Sequence, residues 1–215
     1  MSRRAEYAEV TRRAIVDASR RLFSQKGYFA TKVDEIADAA RVSPATVYGV
    51  TGGKAGLLRT LIDEWSDAPV VEQTRKQIEQ LDDPMKIIRV VAALTNDMRR
   101  DYRDIMRVVL ATAPHDSAAA EGLDIATKRY RAGLRAAAQR LARLKALRDD
   151  IDIDRALDVL WFYFGYSGFF TLVDDNGWSY SQAEDWLCTE AAHALLRDPH
   201  PGQPGSPGRP RKRVG

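Results

Sequence analysis

Apolar residues recur at helical spacing along most of the chain. The first such stretch places four of them on one face of a helix that ends at Gly27: Ile15, Ala18, Leu22 and Phe23. The next repeats the pattern at i, i+3, i+4 and i+7: Val33, Ile36, Ala37 and Ala40. Thr31 stands where its hydroxyl would cap this second helix. No stretch alternates apolar and polar residues in the manner of a strand, so the pattern predicts an all-α fold without a sheet.

A third, very short helix is predicted directly after the second. Ser43 suits its N-cap and Pro44 its first position, where a missing N–H has no cost. So short a helix needs neighbours to hold it, and Val42 and Val47 are the expected anchors. The polar positions then face outward: Ser43, Pro44, Thr46 and Tyr48. Two helices joined by a tight turn, the second short and polar outside, predict a helix-turn-helix.

The remainder, to about residue 197, predicts a larger helical bundle, with about nine helices in the whole chain. Pro84 is expected to open a helix to about Arg100, followed by a separate helix that Pro114 stops. An amphipathic helix fits 118–147, and an almost wholly apolar one fits 154–174. The last is expected to start at Ser181, with Glu184 completing a capping box, and to end near Arg197.

Composition is that of an ordinary soluble protein, with 45% hydrophobic and 29% charged residues among 215. Cys188 is the single cysteine, which excludes a disulfide framework within the chain and a zinc site built on cysteines. The uncharged run 159–173 is too short for a membrane span and is interpreted as part of a buried helix. Because the N-terminus also lacks the apolar core of a signal peptide, a cytoplasmic location is expected.

Charge is distributed unevenly along the chain. Residues 1–32 hold eight Lys/Arg and three Asp/Glu, although the formal net charge of the whole chain is only +3. This points to a polyanion that meets the N-terminal region.

Residues 12–58 resemble the DNA-binding domain of the tetracycline-repressor (TetR) family. The matching positions, in order and with the family's spacing, are Ala18, Leu22, Phe23, Gly27, Tyr28, Thr31, Ile36, Ala37, Val42, Ser43, Thr46, Tyr48, Lys54 and Leu57. Two places depart from the family's pattern. Arg41 stands where the turn usually has Gly, and Val50 and Thr51 stand where the family has His and a core Phe.

The resemblance implies two domains: an N-terminal arm and helix-turn-helix domain (1–53) and a ligand-binding and dimerisation domain (54–197). The composition of 198–215, which is rich in Pro and Gly, predicts a disordered basic tail. The resemblance also implies a set of DNA-contacting residues. Phosphate contacts are expected from Thr31, Lys32, Tyr48 and Lys54, and base or sugar contacts from Ser43, Pro44, Ala45 and Thr46. Because no Arg, Asn or Gln lies between 43 and 48, direct base reading is expected to be sparse.

The family resemblance further implies a homodimer formed through the last two helices and a small-molecule effector bound within the bundle. Gly165 and Gly168 would permit helices to approach closely. Candidate lining residues are Met98, Tyr102, Met106, Tyr130, Trp161, Tyr163 and Tyr166, with ordinary core packing as the alternative for each. Their chemistry favours an apolar or aromatic ligand, and the scarcity of Arg and Asp along the apolar helix argues against a highly charged one.

The function that follows is a dimeric transcriptional regulator, a repressor that a small apolar or aromatic ligand releases from a palindromic operator. The alternative is a ligand- or protein-binding dimer whose DNA-binding head has degenerated at Arg41 and Thr51. No enzyme motif, metal cluster or cofactor motif is found, so neither catalysis nor a cofactor is expected. In the tail, Gly208, Arg209 and Pro210 resemble a motif that binds the DNA minor groove. The alternative is a tail that contacts only solvent.

Overall fold

A computed structural model describes residues 3–197, and the expected tail, 198–215, lies outside them. The first four helices form the N-terminal part. They are α1 (Arg3–Lys26), α2 (Val33–Ala40), α3 (Pro44–Thr51) and α4 (Gly53–Ser66). Gly27 ends α1 with a φ of 83°, as expected.

The bundle that follows contains six further α-helices: α5 (Pro69–Gln80), α6 (Pro84–Thr112), α7 (Ser117–Arg143), α8 (Ile153–Phe164), α9 (Tyr166–Phe170) and α10 (Tyr180–Leu195). A 3-10 turn, Ala113–His115, joins α6 to α7, and a π-helical turn, Thr171–Asp175, continues α9. Residues 3–197 contain no strand, only an isolated antiparallel bridge between Leu147 and Leu196. The all-α prediction is confirmed.

Three predicted boundaries are wrong. The two helices expected between Pro84 and Pro114 are one helix of 29 residues, because no Gly or Pro interrupts the apolar repeat near Arg100. The helix expected over 154–174 is broken at Gly165, between α8 and α9. The capping box of α10 is made by Ser179 and Gln182 instead of Ser181 and Glu184.

Two clusters of buried side chains hold the structure together. The first lies in the bundle and joins α5, α6, α7, α8 and α10. The second begins in the N-terminal helices with Ile15, Phe23, Ile36 and Val47 and continues without interruption into α6, α7 and α9. The N-terminal helices therefore share a hydrophobic core with the bundle, so they cannot shift far without disturbing it.

One stretch among the described residues, Ile153–Asp175, is long and apolar enough to cross a membrane by length and composition alone. Half of its most apolar window is buried inside the protein. Core helices pass the same test, and the break at Gly165 agrees with the interpretation of this stretch as a core helix.

Candidate functional site

The turn between α2 and α3 forms despite the arginine at its centre. Arg41 adopts the left-handed conformation, with φ 56° and ψ 44°. Its N–H donates to the Asp38 carbonyl, and the N–H of Val42 donates to the Ala37 carbonyl. These bonds satisfy carbonyls that the end of α2 leaves free, which offsets the strain of roughly 1 kcal/mol at a non-glycine residue.

Helix α3 is anchored by one side chain and offers the rest outward. Val47 is its single buried residue, and Val42 just before it packs partly against the same core. Ser43 caps the helix, accepting a hydrogen bond at 3.1 Å from the backbone N–H of Thr46, and Pro44 occupies the first turn. Pro44 and Ala45 are exposed, and so is 58% of Tyr48. The predicted cap, anchor and outward face are confirmed.

Thr31 does not cap α2, contrary to the prediction. Its side chain is only 1% exposed, and its hydroxyl donates to the carbonyls of Gly27 and Leu22. The hydroxyl thus ties the α1–α2 turn to the end of α1 and is turned away from solvent. The position before α2 is taken by Lys32, whose N–H donates to the Glu35 carboxylate at 3.0 Å while its side chain is exposed.

The junction between α3 and α4 depends on two consecutive glycines that follow Thr51. Gly52 ends α3 and begins α4 with a φ of 74°, and Gly53 has a φ of 80°. A Cβ on Gly53 would lie 2.8 Å from the Tyr48 ring, so only glycine lets that ring lie against the backbone. The hydroxyl of Thr51 donates to the Val47 carbonyl at 2.8 Å.

Lys54 sits beside α3 in the first turn of α4. Its ammonium lies 4.5 Å from the centre of the Tyr28 ring, a cation–π contact that holds the charge near the surface. Burial lowers the pKa of Lys54 and the carboxylate of Asp116 opposes that shift. Burial likewise raises the pKa of Tyr28, so the ring remains a neutral phenol beneath the cation.

The bundle contains a cavity between α4, α5, α6 and α7, with Tyr166 of α9 at its wall. It encloses about 720 Å³ not filled by protein atoms, including the solvent at its mouth. Its walls are mostly apolar: Trp65, Val71, Ile78, Val91, Leu94, Met98, Met106, Ala126 and Leu134. A mostly apolar wall with a few polar groups suits the body of a small organic molecule.

Four of the seven candidate lining residues lie at this cavity: Met98, Met106, Tyr130 and Tyr166. The other three do not line it. Tyr102 lies under the guanidinium of Arg20, Trp161 packs behind Tyr130 and Tyr166, and Tyr163 packs edge-on against Phe162. No residue of α8 lines the cavity, so Trp161 and Tyr163 do not belong to its wall.

Sequence reasoning missed a charged residue in the cavity wall. Arg99 of α6 is 1% exposed. Its guanidinium donates to the Phe164 carbonyl at 3.3 Å and to the Met106 sulfur at 3.4 Å, and its Nε has no hydrogen-bond partner. The signal was present in the sequence, because Arg99 stands seven residues after Ala92 and seven before Met106 on the apolar stripe of α6.

Gly165 places the acceptor of that arginine. A Cβ at this position would lie 2.4 Å from the Trp161 carbonyl of its own helix, so the close contact is local and not the approach of two helices. The break it causes leaves the Phe164 carbonyl available to the guanidinium and to the Tyr130 hydroxyl, which donates to it at 2.6 Å. Thr95 joins the network through a 2.9 Å contact with the same hydroxyl.

An ion pair connects the bundle to the N-terminal helices. The Arg20 guanidinium of α1 donates to both carboxylate oxygens of Asp104 on α6 at 2.7 Å. Burial alone would raise the pKa of Asp104, but hydrogen bonds from Arg20, Ser24 and the Ile105 N–H outweigh it and lower the pKa. Asp104 follows Arg99 by little more than one turn, so α6 carries both the cavity wall and this pair.

Large apolar side chains remain uncovered on α8 and α10, which pack against each other. Phe162 is 75% exposed and Trp186 is 42% exposed. Both aromatic side chains are therefore available for contact with another molecule.

Within residues 3–197, no group of three or more His, Cys, Asp or Glu residues is placed to hold a metal ion. Cys188 is buried, and burial raises the pKa of its thiol, which makes it a weak nucleophile.

The helix-turn-helix region has recognisable relatives. The family described as bacterial regulatory proteins, tetR family, matches residues 15–61. An uncharacterised HTH-type transcriptional regulator of Bacillus subtilis, YvkB, is 39% identical over 66 residues, which are 30% of this chain and 35% of that protein. The match therefore spans about a third of the length of that relative.

Solved structures extend the likeness to the whole fold. NalD of Pseudomonas aeruginosa, the secondary repressor of a multidrug efflux pump, superposes with a TM-score of 0.73 over 90% of this chain and 99% of its own, at 21% identity. A transcriptional regulator of Saccharomonospora viridis, solved with choline, gives 0.71 over 87% and 98%, at 17% identity. SmeT, solved with triclosan, gives 0.71 over 93% and 99%, at 19% identity. Residues 15–61 thus match the tetR family of bacterial regulatory proteins, and the fold of residues 3–197 is the one these structures share.

Proposed function

We propose that the protein is a homodimeric, cytoplasmic transcriptional repressor that binds a palindromic DNA operator and leaves it when a small molecule enters the bundle cavity. The observation that carries the proposal is α3, a short helix held by Val47 alone whose polar side faces solvent. Such a helix suits the DNA major groove, with the preceding helix across the backbone. The proposed domains are 1–53 for DNA and 54–197 for ligand binding and dimerisation.

The proposed DNA contacts are those whose side chains are accessible. Ser43, Pro44, Ala45 and Thr46 would face base edges or the adjacent sugar-phosphate. Lys32, Tyr48 and Lys54 would contact phosphates. The hydroxyl of Thr31 is withdrawn from this set, since it is buried against Gly27.

The left-handed conformation of Arg41 and the two glycines at 52–53 favour a DNA-binding domain that is functional over one that has degenerated. The departures that suggested degeneration leave α2, the turn and α3 in place. Arg41 is itself exposed, so it adds positive charge beside the reading helix.

The exposed aromatics of α8 and α10 support dimerisation through these helices. Covering Phe162 and Trp186 would remove apolar surface from water. A symmetric dimer presents two copies of α3, and two half-sites spaced by about 34–36 Å would then be read together.

Release of DNA on ligand binding is supported by two helices that connect the cavity to the DNA-binding domain. Helix α6 carries the cavity wall and, at Asp104, the ion pair to Arg20 of α1. Helix α4 lines the cavity with Trp65 and follows α3 directly. A ligand that favours one arrangement of α4 and α6 would therefore shift the spacing of the two heads. The choline and triclosan complexes of similar proteins support a small-molecule site, and the name of NalD as a repressor supports the sign of regulation.

Footprinting on the DNA upstream of the protein's own coding region, combined with sedimentation, tests the proposal. We expect a dimer that protects two related half-sites about one helical turn apart. A monomer at all concentrations, or protection without two-fold symmetry, would refute the dimeric, palindromic arrangement.

A further inference from the structure

The charged residues that line the cavity all have the same sign. Arg75, Arg99 and Arg129 contribute to the wall, and no Asp or Glu does so among the described residues. Arg75 and Arg129 are each partly exposed and have their own acidic partners on the surface: Glu72 and Glu79 for the former, Asp63 and Asp67 for the latter. Only Arg99 lies fully inside the protein.

Arg99 has no carboxylate partner within residues 3–197. The groups around its guanidinium are the rings of Tyr130, Tyr166 and Phe170, 5.2 to 5.7 Å away, and two uncharged acceptors, the Phe164 carbonyl and the Met106 sulfur. Aromatic faces attract a cation, but they do not accept the hydrogen bond that its Nε lacks. A buried guanidinium in this state is unfavourable, and an acceptor with a negative charge would relieve it.

We propose that the cavity binds an amphipathic carboxylate: one carboxylate group that pairs with Arg99, carried on an apolar body that packs against the cavity wall. The inference rests on the proposed ligand-responsive function and narrows its ligand class. Arg99 supplies the charge-assisted donors, because a guanidinium forms directional bonds to carboxylate oxygens. Met98, Met106 and Leu134 supply the apolar contact.

The same geometry limits the charge of the ligand. One buried cation without a carboxylate partner matches one negative charge, whereas each further charge would be buried without a partner. The ligand is therefore expected to have an apolar or aromatic body and a single acidic group that pairs with Arg99.

The test compares matched ligands on the full-length protein. Decanoate is paired with decanol, and 4-phenylbutyrate with 4-phenylbutanol, each below its micelle concentration or solubility limit, and the Kd is measured by calorimetry. We expect at least one carboxylate to bind about tenfold or more tightly than its alcohol. Equal or tighter binding of both alcohols, or no binding of either carboxylate, would overturn the proposal.

Three variants assign the preference to its residue. Arg99→Met keeps the apolar bulk and should abolish the carboxylate preference while the alcohols bind as before. Arg99→Lys keeps the charge and should retain part of the preference. Arg100→Met, which removes an exposed arginine of α6 that pairs with Asp97 and does not line the cavity, should leave the preference intact. A preference that persists in Arg99→Met, with the variant folded by circular dichroism, would refute the assignment.

Release of DNA is measured separately, so the two proposals can fail independently. Carboxylates that bind through Arg99 without releasing DNA would support the ligand class and contradict ligand-induced release. Alcohols that bind more tightly than the carboxylates and do release DNA would support release and overturn the ligand class.

Discussion

Replacing Val47 with alanine should destabilise the reading head by a calculable amount. Val47 is fully buried and is the only residue of α3 in the core. The change removes two buried methyl groups, worth about 0.8 kcal/mol each in transfer free energy. The cavity left behind raises the loss in unfolding free energy to about 2–3 kcal/mol.

Thermal unfolding followed by circular dichroism, at one fixed protein concentration, measures this loss. At roughly 2–4 °C per kcal/mol for a chain of this size, the melting temperature should fall by roughly 4–12 °C. Val50→Ala is the matched control, because Val50 lies on the same helix with 41% of its surface exposed. Its unfolding free energy should change by no more than about 0.5 kcal/mol. If the two variants melt together, Val47 does not hold α3 and the account of the reading helix is wrong.

Three further predictions test the cap, the link to the bundle and the dimer. Ser43→Ala removes the hydrogen bond to the first turn of α3 and should lower the free energy of unfolding by about 1 kcal/mol, measured by urea titration. Asp104 has a pKa below its ordinary value in the folded protein. Its ionised carboxylate therefore stabilises the fold above the unfolded-state pKa, and this contribution is lost as the pH falls through the folded-state pKa. Asp104→Asn should be less stable than the wild type at neutral pH, and the two should become equally stable in acid. Phe162→Glu buries a charge if the dimer forms as proposed, so sedimentation should show a monomer.

Each of these predictions has its own contradicting result. An unchanged urea midpoint for Ser43→Ala would mean that the cap contributes nothing. If the difference in unfolding free energy between the wild type and Asp104→Asn stays constant across the acid range, the ionised carboxylate of Asp104 does not stabilise the fold. Val10→Glu places the same charge on a 63% exposed residue of α1 and should leave the oligomer unchanged; if Phe162→Glu also leaves it unchanged, the proposed interface is misplaced.

The helix-turn-helix could be predicted because single residues mark the ends of its helices. Gly27 ends α1, and Ser43 and Pro44 start α3, each through the backbone preferences of a single residue. Thr31 was misread for the same reason. Its position before α2 suits a cap, but tertiary contacts draw its hydroxyl onto the carbonyl of Gly27.

The cavity was predictable only in part, because its wall is assembled from distant segments. Met98, Met106, Tyr130 and Tyr166 were predicted from their aromatic and Met side chains, and all four lie at the cavity. Arg99 was missed, since a charged residue is ordinarily assigned to solvent even when it stands on an apolar stripe.

The central claim is that this chain reads a specific DNA sequence, and selection of bound sites from a random DNA library tests it most directly. The purified protein should enrich a two-fold symmetric motif that binds about a thousandfold or more tightly than random DNA at the same salt concentration. Lys54→Ala should weaken binding to the motif and reduce its salt dependence, because a phosphate contact is lost. Failure to enrich any motif, with wild type and Lys54→Ala binding all DNA alike, would contradict the account.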